Sequence, residues 1–167
     1  PKPALGNTLL SQEVCSGTPT TAVDLLPIPI PPATVSFNWI AIVSTPLLTG
    51  YAANGSNTLV IPSQTIINPT PTVQYVDYVI VPVFTGGSSS CQGDAQTYRI
   101  NIHPRPDVIF APVTLAVCSG NPGAVAFSTT IAETTTYQWN AVLPLPAGTS
   151  VSHLSGNGNF SETLTNS

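Results

Sequence analysis

The sequence predicts an all-β fold built as two tandem antiparallel β-sandwich modules, the second of them incomplete. Three observations carry this. Apolar residues, chiefly Val, Ile and Leu, make up 42 % of the chain, while Thr, Ser, Asn and Gln stand where most surfaces carry charge. Eighteen prolines and twelve glycines cut the apolar pattern into short β-branched runs, and no stretch sustains a 3.6-residue period. Finally, the chain repeats itself. Val14-Cys15-Ser16-Gly17 returns as Val117-Cys118-Ser119-Gly120, 103 residues on, and Pro1-Lys2-Pro3 returns at the same offset as Pro104-Arg105-Pro106. Phe37-Asn38-Trp39-Ile40-Ala41 pairs with Tyr137-Gln138-Trp139-Asn140-Ala141 at an offset of 100, and Ser63 to Asn68 pairs with Ser161 to Asn166 at 98. Anchors in one order with a slowly drifting offset mark an internal repeat, and about 100 residues suits one two-sheet sandwich. The modules are then residues 1–106 and 107–167.

Taken in order, Pro1 to Pro3 reads as a stiff entry linker and Leu9 to Val14 as an edge strand closed by the turn Ser16 to Pro19. Thr21 to Leu26 forms a second strand. The prolines of the Leu26 to Ala33 insert, which cannot donate to a ladder, force an extended, edge-exposed passage. Val35 to Ile42 alternates, with Val35, Phe37, Trp39 and Ala41 on one face. Trp39 and its equivalent Trp139 are assigned to the core with Phe37 and Tyr78, because a strand tryptophan more often packs than binds. Gly50 to Asn57 reads as a polar turn, and Thr58 to Ile67 as a strand bent at Pro62. Val73 to Phe84 is a long strand in which Asp77 shares a parity with Val73, Tyr75, Val79, Val81 and Val83 and looks misplaced there. Gly86 to Ser90 is a hairpin tip, and Ala95 to Ile102 closes the module. The second module opens at Asp107 with a strand at Val113 to Val117. It has no counterpart of Pro69 to His103, the two strands that should pair with the tryptophan strand. An open edge of this kind is a poor free-standing structure; either further chain or another chain supplies what is missing. A chain starting at Pro1 with no methionine reads as a piece of something longer.

The repeat organises the three cysteines. Cys15 and Cys91 share the first module, and Cys118 repeats Cys15. A Cys15–Cys91 disulfide is therefore expected, with Cys118 bonded to a cysteine outside this segment. Closing a loop of about 75 residues would contribute roughly 4 kcal/mol on the chain-entropy account and implies an oxidising compartment. Metal ligation and a catalytic thiol are the rivals, but there is no Cys-x-x-Cys and no histidine at ligand spacing.

Chemistry is sparse. Three basic and seven acidic residues give a net charge of −4, too few cations for a nucleic-acid surface or an anionic membrane. No proline-free apolar run is long enough to span a bilayer. The acids are scattered one per element, His103 and His153 have no partner nearby in sequence, and no Gly-x-Ser-x-Gly elbow occurs. No catalytic, metal or cofactor site is expected. Asn54-Gly55-Ser56 and Asn159-Phe160-Ser161 fit a glycosylation acceptor only weakly. For binding, the candidate ligand loop is Tyr51, Asn54 and Asn57, facing surface glycans.

Taken together, Cys15-Ser16-Gly17, Phe37-Asn38-Trp39, Ser63 to Asn68, Tyr78-Val79-Ile80-Val81-Pro82, Cys91-Gln92-Gly93 and Pro104-Arg105-Pro106 resemble the PKD-like, immunoglobulin-like repeats of very large Bacteroidetes surface proteins. The resemblance covers the first module and about 60 residues of the second; the long proline insert departs from it. It implies tandem immunoglobulin-like sandwiches in a secreted, cell-surface chain of the gliding-motility adhesin type, exported by the type IX system. The role it implies is that of a structural spacer whose partners are neighbouring modules. The alternatives are a carbohydrate-binding accessory module and a filament subunit assembled by strand exchange.

Overall fold

The structure, a computed structural model, describes residues 2–28, 35–86 and 89–167. Pro29 to Ala33 of the proline-rich insert, and Gly87 and Ser88 of the expected hairpin tip, lie outside the described residues. The chain divides into two units, Pro1–Arg105 and Pro106–Ser167, and all of its regular structure among the described residues is β.

The first unit runs β1 (Ala4–Leu5), β2 (Ser11–Cys15), β3 (Val23–Asp24), β4 (Pro27–Ile28), β5 (Val35–Val43), β6 (Asn54–Thr58), β7 (Val60–Ile61), β8 (Gln74–Gly86), β9 (Ser89–Gln92) and β10 (Gln96–His103). One sheet has the order β2-β10-β8-β5-β6, with β9 folded back on the far end of β8. β2 joins β10 in parallel, Val14 beside Ile102, and the other pairs in this sheet are antiparallel. Facing it are β3 with β7, the β1–β4 pair, and single bridges at Pro19–Thr65 and Thr49–Ile67. This is an immunoglobulin-like β-sandwich.

Period-2 alternation builds the core. Val35, Phe37 and Trp39 of β5 point inward while Ile40 and Ile42 face out. From β10 come Tyr98, Ile100 and Ile102, and from the facing layer Leu25, Ile61 and Ile66. On β8 the inward set is Val76, Tyr78 and Ile80. That strand is apolar on both parities, so its pattern alone does not choose a face; the charge does. Asp77 lies on the outer face directly opposite Arg99 of β10 and so is not misplaced. Its carboxylate accepts two hydrogen bonds from the Arg99 guanidinium, at 2.7 Å each, while the guanidinium stacks 3.8 Å above the Tyr75 ring.

Two further expectations are corrected. Asn54 to Thr58 is a strand, not a turn. Its polar sequence fits because its inward position is Gly55, where an added Cβ would lie 2.4 Å from the Trp39 indole. The indole takes the space a side chain would need. The Thr21 to Leu26 and Thr58 to Ile67 strands shrink to the two-residue β3 and β7, since Pro62 and Pro27 limit ladder donation.

The second unit contains β11 (Ile109–Ala111), β12 (Pro122–Ser128), β13 (Gln138–Asn140), β14 (Thr149–Val151), β15 (Ser155–Asn157) and β16 (Phe160–Asn166). One sheet runs β11-β12-β16-β14, and β13 pairs only with β15. The strand expected at Val113 to Val117 does not form. Its equivalent β2 has β10 as its sheet neighbour, and no strand stands in that place among the described residues of this unit.

Candidate functional site

The repeated motifs build a clasp. After β2 the chain turns through Gly17 (φ +81°), which directs the Gly17 N–H onto the Ile66 carbonyl at 2.9 Å. The Ser16 hydroxyl accepts the Asn68 N–H at 2.9 Å. The second unit repeats both contacts: the Gly120 N–H donates to Leu164 O at 2.8 Å and the Asn166 N–H donates to Ser119 Oγ at 2.9 Å. Thus Ser-Gly and the distant Asn are one device, tying the repeated Cys-Ser-Gly turn of each unit to the segment 50 or so residues later. Gly156 likewise repeats Gly55: an added Cβ there would lie 2.5 Å from the Trp139 indole. Among the described residues neither buried indole N–H has an acceptor.

In the first unit the clasp continues inward. Asn68 is buried, and its Nδ2 donates to Thr72 O at 2.8 Å and Ile102 O at 2.9 Å. Its Oδ1 accepts the N–H and hydroxyl of Thr70. The Tyr78 hydroxyl donates to Gln64 Oε1 at 2.7 Å, and the same oxygen accepts the Ala52 N–H at 2.6 Å. Burial pushes the Tyr78 phenol up to about 12, so it remains a donor throughout the physiological range. Neither Asn68 nor Gln64 stood out in the sequence as a core residue. Their place in the repeated Ser63 to Asn68 segment was the signal that could have found them.

Of the candidate ligand loop, Tyr51 is half-buried and packs against the core. Asn54 sits in β6 opposite Ile40. Asn57 takes a left-handed backbone (φ 51°) at the bulge between Phe37 and Trp39, its N–H donating to Asn38 Oδ1 at 3.0 Å. Asn54 and Asn57 are thus exposed polar residues beside a half-buried Tyr51 ring. Phe37, Trp39 and Tyr78 are buried at 0, 3 and 0 % exposure, with the Trp39 and Tyr78 rings edge-to-face at 5.2 Å. Trp139 is only partly covered and lies edge-to-face with Phe160.

The Cys15–Cys91 disulfide does not exist in this fold. All three cysteines are exposed free thiols. Register gives the reason. Cys15 pairs with His103 at the Gln74 end of β8, whereas Cys91 pairs with Phe84 near its other end. Ten strand residues separate those levels, roughly 33 Å, against the ~7 Å Cα separation a disulfide tolerates. Thiol titration of the folded chain should therefore count three reactive cysteines, and reductant should leave its melting temperature unchanged. A reductant-sensitive melt with fewer than three titratable thiols would refute the register.

Among the described residues, two clusters pair a histidine with a carboxylate. On the β2–β10 edge, Glu13 Oε1 accepts from Asn101 Nδ2 at 2.6 Å and Oε2 lies 2.8 Å from His103 Nε2. Chiefly the Asn101 bond holds the Glu13 carboxyl below its usual range. In the second unit Ser152 Oγ and His153 Nδ1 both bond Glu162 Oε2. A hydrolytic triad needs histidine between serine and acid; here the acid stands between, so the serine is not activated. The Ser152 hydroxyl first, then His153, depresses the Glu162 carboxyl. A carboxyl lowered on folding stabilises above its unfolded value and loses that contribution as pH falls through the folded one. The second unit should thus loosen on acidification below the ordinary carboxyl value of 4.5, and Ser152→Ala should move the Glu162 midpoint upward in an NMR titration. An unchanged midpoint would show that this hydroxyl does not hold the carboxylate. Among the described residues no three His, Cys, Asp or Glu converge as a metal site, and no helix is long and apolar enough to cross a membrane.

A family profile described as the PKD-like domain matches residues 12–106, more than half of the chain. The chain belongs to the PKD-like domain family. The match begins in β2 and ends at Pro106, the first residue of the second unit. PKD-like domains are structural, generally non-catalytic modules, typically of extracellular proteins. Their two-sheet architecture is the one seen in the Pro1–Arg105 unit. No curated protein matches the chain closely enough to lend it a more specific role.

Proposed function

We propose that this chain is a stretch of tandem PKD-like spacer modules in a large secreted surface adhesin or filament, of the kind that serves adhesion or gliding motility in Bacteroidetes. The observation that carries this reading is what the repeat conserves within the chain. It keeps the Ser-Gly-to-Asn clasp, the glycine under the tryptophan and the proline linker, all of them devices for building a module. It does not keep the carboxylates of the two ionisable clusters: Glu13 has Ala116 at the repeat offset, and Glu162 stands where the first unit has Gln64. A repeat selected for chemistry would carry its reactive groups from copy to copy; a spacer needs only its framework. With few charges, a polar Thr/Ser/Asn surface and proline-stiffened joints, such modules suit a stalk outside the cell, where neighbouring modules are the principal partners.

The glycan-binding alternative is disfavoured by Tyr51, which packs against the core where a sugar platform would present its ring to solvent. The test is protease shaving of intact source cells followed by peptide mass spectrometry. Peptides of this sequence should be released from the surface, from a protein much larger than 17.3 kDa. Recovery only from lysed cells, or from a protein of that mass, would overturn the reading.

A further inference from the structure

The two thiols of the first unit lie toward its two ends, and the chain passes each of them as it leaves or enters. Cys15 is level with His103, the last residue of β10, and the Ser16 N–H donates to the His103 carbonyl at 2.9 Å. The chain therefore leaves the unit beside Cys15. It enters beside the other cysteine. Gly93, two residues after Cys91, packs so closely on the entering backbone that an added Cβ would lie 2.0 Å from the Pro3 carbonyl oxygen. The Gly93 N–H donates to Pro82 O at 2.8 Å, Lys2 pairs with the adjacent Asp94, and Pro3 is fully buried. The Pro-Lys-Pro entry is thus more than a stiff spacer. It is seated on the Cys91-Gln92-Gly93-Asp94 segment of the module it opens.

The sequence repeats that entry as Pro104-Arg105-Pro106, immediately after His103. Arg105 keeps the cation of Lys2, and Pro106 stands three residues beyond His103, at most about 10 Å along the chain. In a tandem array each linker then has a Cys15-type thiol where it starts and a Cys91-type thiol where it lands. Within one module the sheet holds the same two thiols roughly 33 Å apart. We propose that the cysteines form disulfides between consecutive modules of one chain, the Cys15 type of each module bonding the Cys91 type of the module that follows. Cys91 here bonds the Cys15-type cysteine of the module before it, and Cys118 bonds the Cys91-type cysteine of the module after its own. Two Sγ–H bonds break and one Sγ–Sγ bond forms. The two electrons and two protons pass to a disulfide oxidant, which is reduced to two thiols. Such a bridge runs alongside the linker, so each joint has two covalent connections and resists swivelling about its prolines. This inference rests on the tandem-module part of the reading above, not on adhesion or export.

The experiment places a second copy of residues 1–103 ahead of Pro1, which recreates the joint with Pro1-Lys2-Pro3 after His103. Serine replaces every cysteine except Cys15 of the added copy and Cys91 of the original chain. A control keeps the opposite pair, Cys91 of the added copy and Cys15 of the original. Both are treated with oxidised glutathione, and free thiols and non-reduced mass are followed. The first chain should lose both thiols as a monomer without retaining glutathione, at least about ten-fold faster than the control, because a short linker holds its pair at high effective concentration. Equal rates in the two chains, stable glutathione adducts without closure, or bridges only between separate chains would overturn the proposal. Non-reducing peptide mapping of the natural protein checks the same point without a fusion. Cys118 joined to the following module is the expected result; Cys118 free, or joined within its own module, would overturn it. The adhesin reading survives each of these failures, since surface shaving tests it separately.

Discussion

Trp39→Ala is expected to lower the unfolding free energy of the Pro1–Arg105 unit by about 3–5 kcal/mol, the range for truncating a fully buried large aromatic side chain. The residue is 3 % exposed and belongs to the buried core cluster. It lies edge-to-face with Tyr78 and roofs Gly55, which has no side chain to relax into the vacated space. The loss should appear as a shift of the urea midpoint with little change in slope, since the surface exposed on unfolding is nearly the same. Trp139→Ala is the internal comparison. The same residue at the same place in the repeat is only partly covered and packs with Phe160 rather than with a β8 tyrosine. Its truncation should cost about 1 kcal/mol or less, because the transfer term scales with area removed from water. Equal costs at the two sites would contradict the difference in interior between the units.

That contrast shows what could be read from the sequence and what could not. The repeat, the all-β class and the inward parity of β5 were all legible, because each is a matter of local period or internal comparison. Contacts between strands distant in sequence were not. The β8 parity required knowing that Arg99 lies opposite Asp77. The β6 strand was hidden because its inward residue is a glycine, which reads as a turn until a tryptophan is known to cover it. The disulfide failed for a related reason. A repeat says which cysteines share a module but not at which end of a sheet each sits. Only the pairing of Cys15 with His103 and of Cys91 with Phe84 placed them apart. The strand character of Asn54 and Asn57 was hidden with β6.

Asn68→Ala should cost the first unit about 3 kcal/mol, nearly as much as losing a large core side chain, although Asn68 is small and polar. Its side chain holds four hydrogen-bond contacts: Thr72 O, Ile102 O, and the N–H and hydroxyl of Thr70. Each is worth only about 1 kcal/mol net. Leaving a buried partner unsatisfied costs more, about 1–3 kcal/mol. Ile102 is 0 % exposed, so water cannot readily replace the amide at its carbonyl. Asn68→Asp should also destabilise, since the carboxylate keeps the Thr70 contacts but turns an acceptor toward the Ile102 carbonyl. Asn166→Ala separates side chain from backbone. The clasp itself uses the backbone N–H of this residue, bonded to Ser119 Oγ, which alanine retains, and the exposed amide satisfies no buried group. That substitution should change stability by under about 0.5 kcal/mol. If Asn68→Ala were equally mild in thermal and urea unfolding, the clasp would be a backbone device in both units and the link from the repeated asparagine to β10 would carry no stability. If it is severe, the asparagine in the repeat is explained as the residue that locks β10 into place once a module is complete.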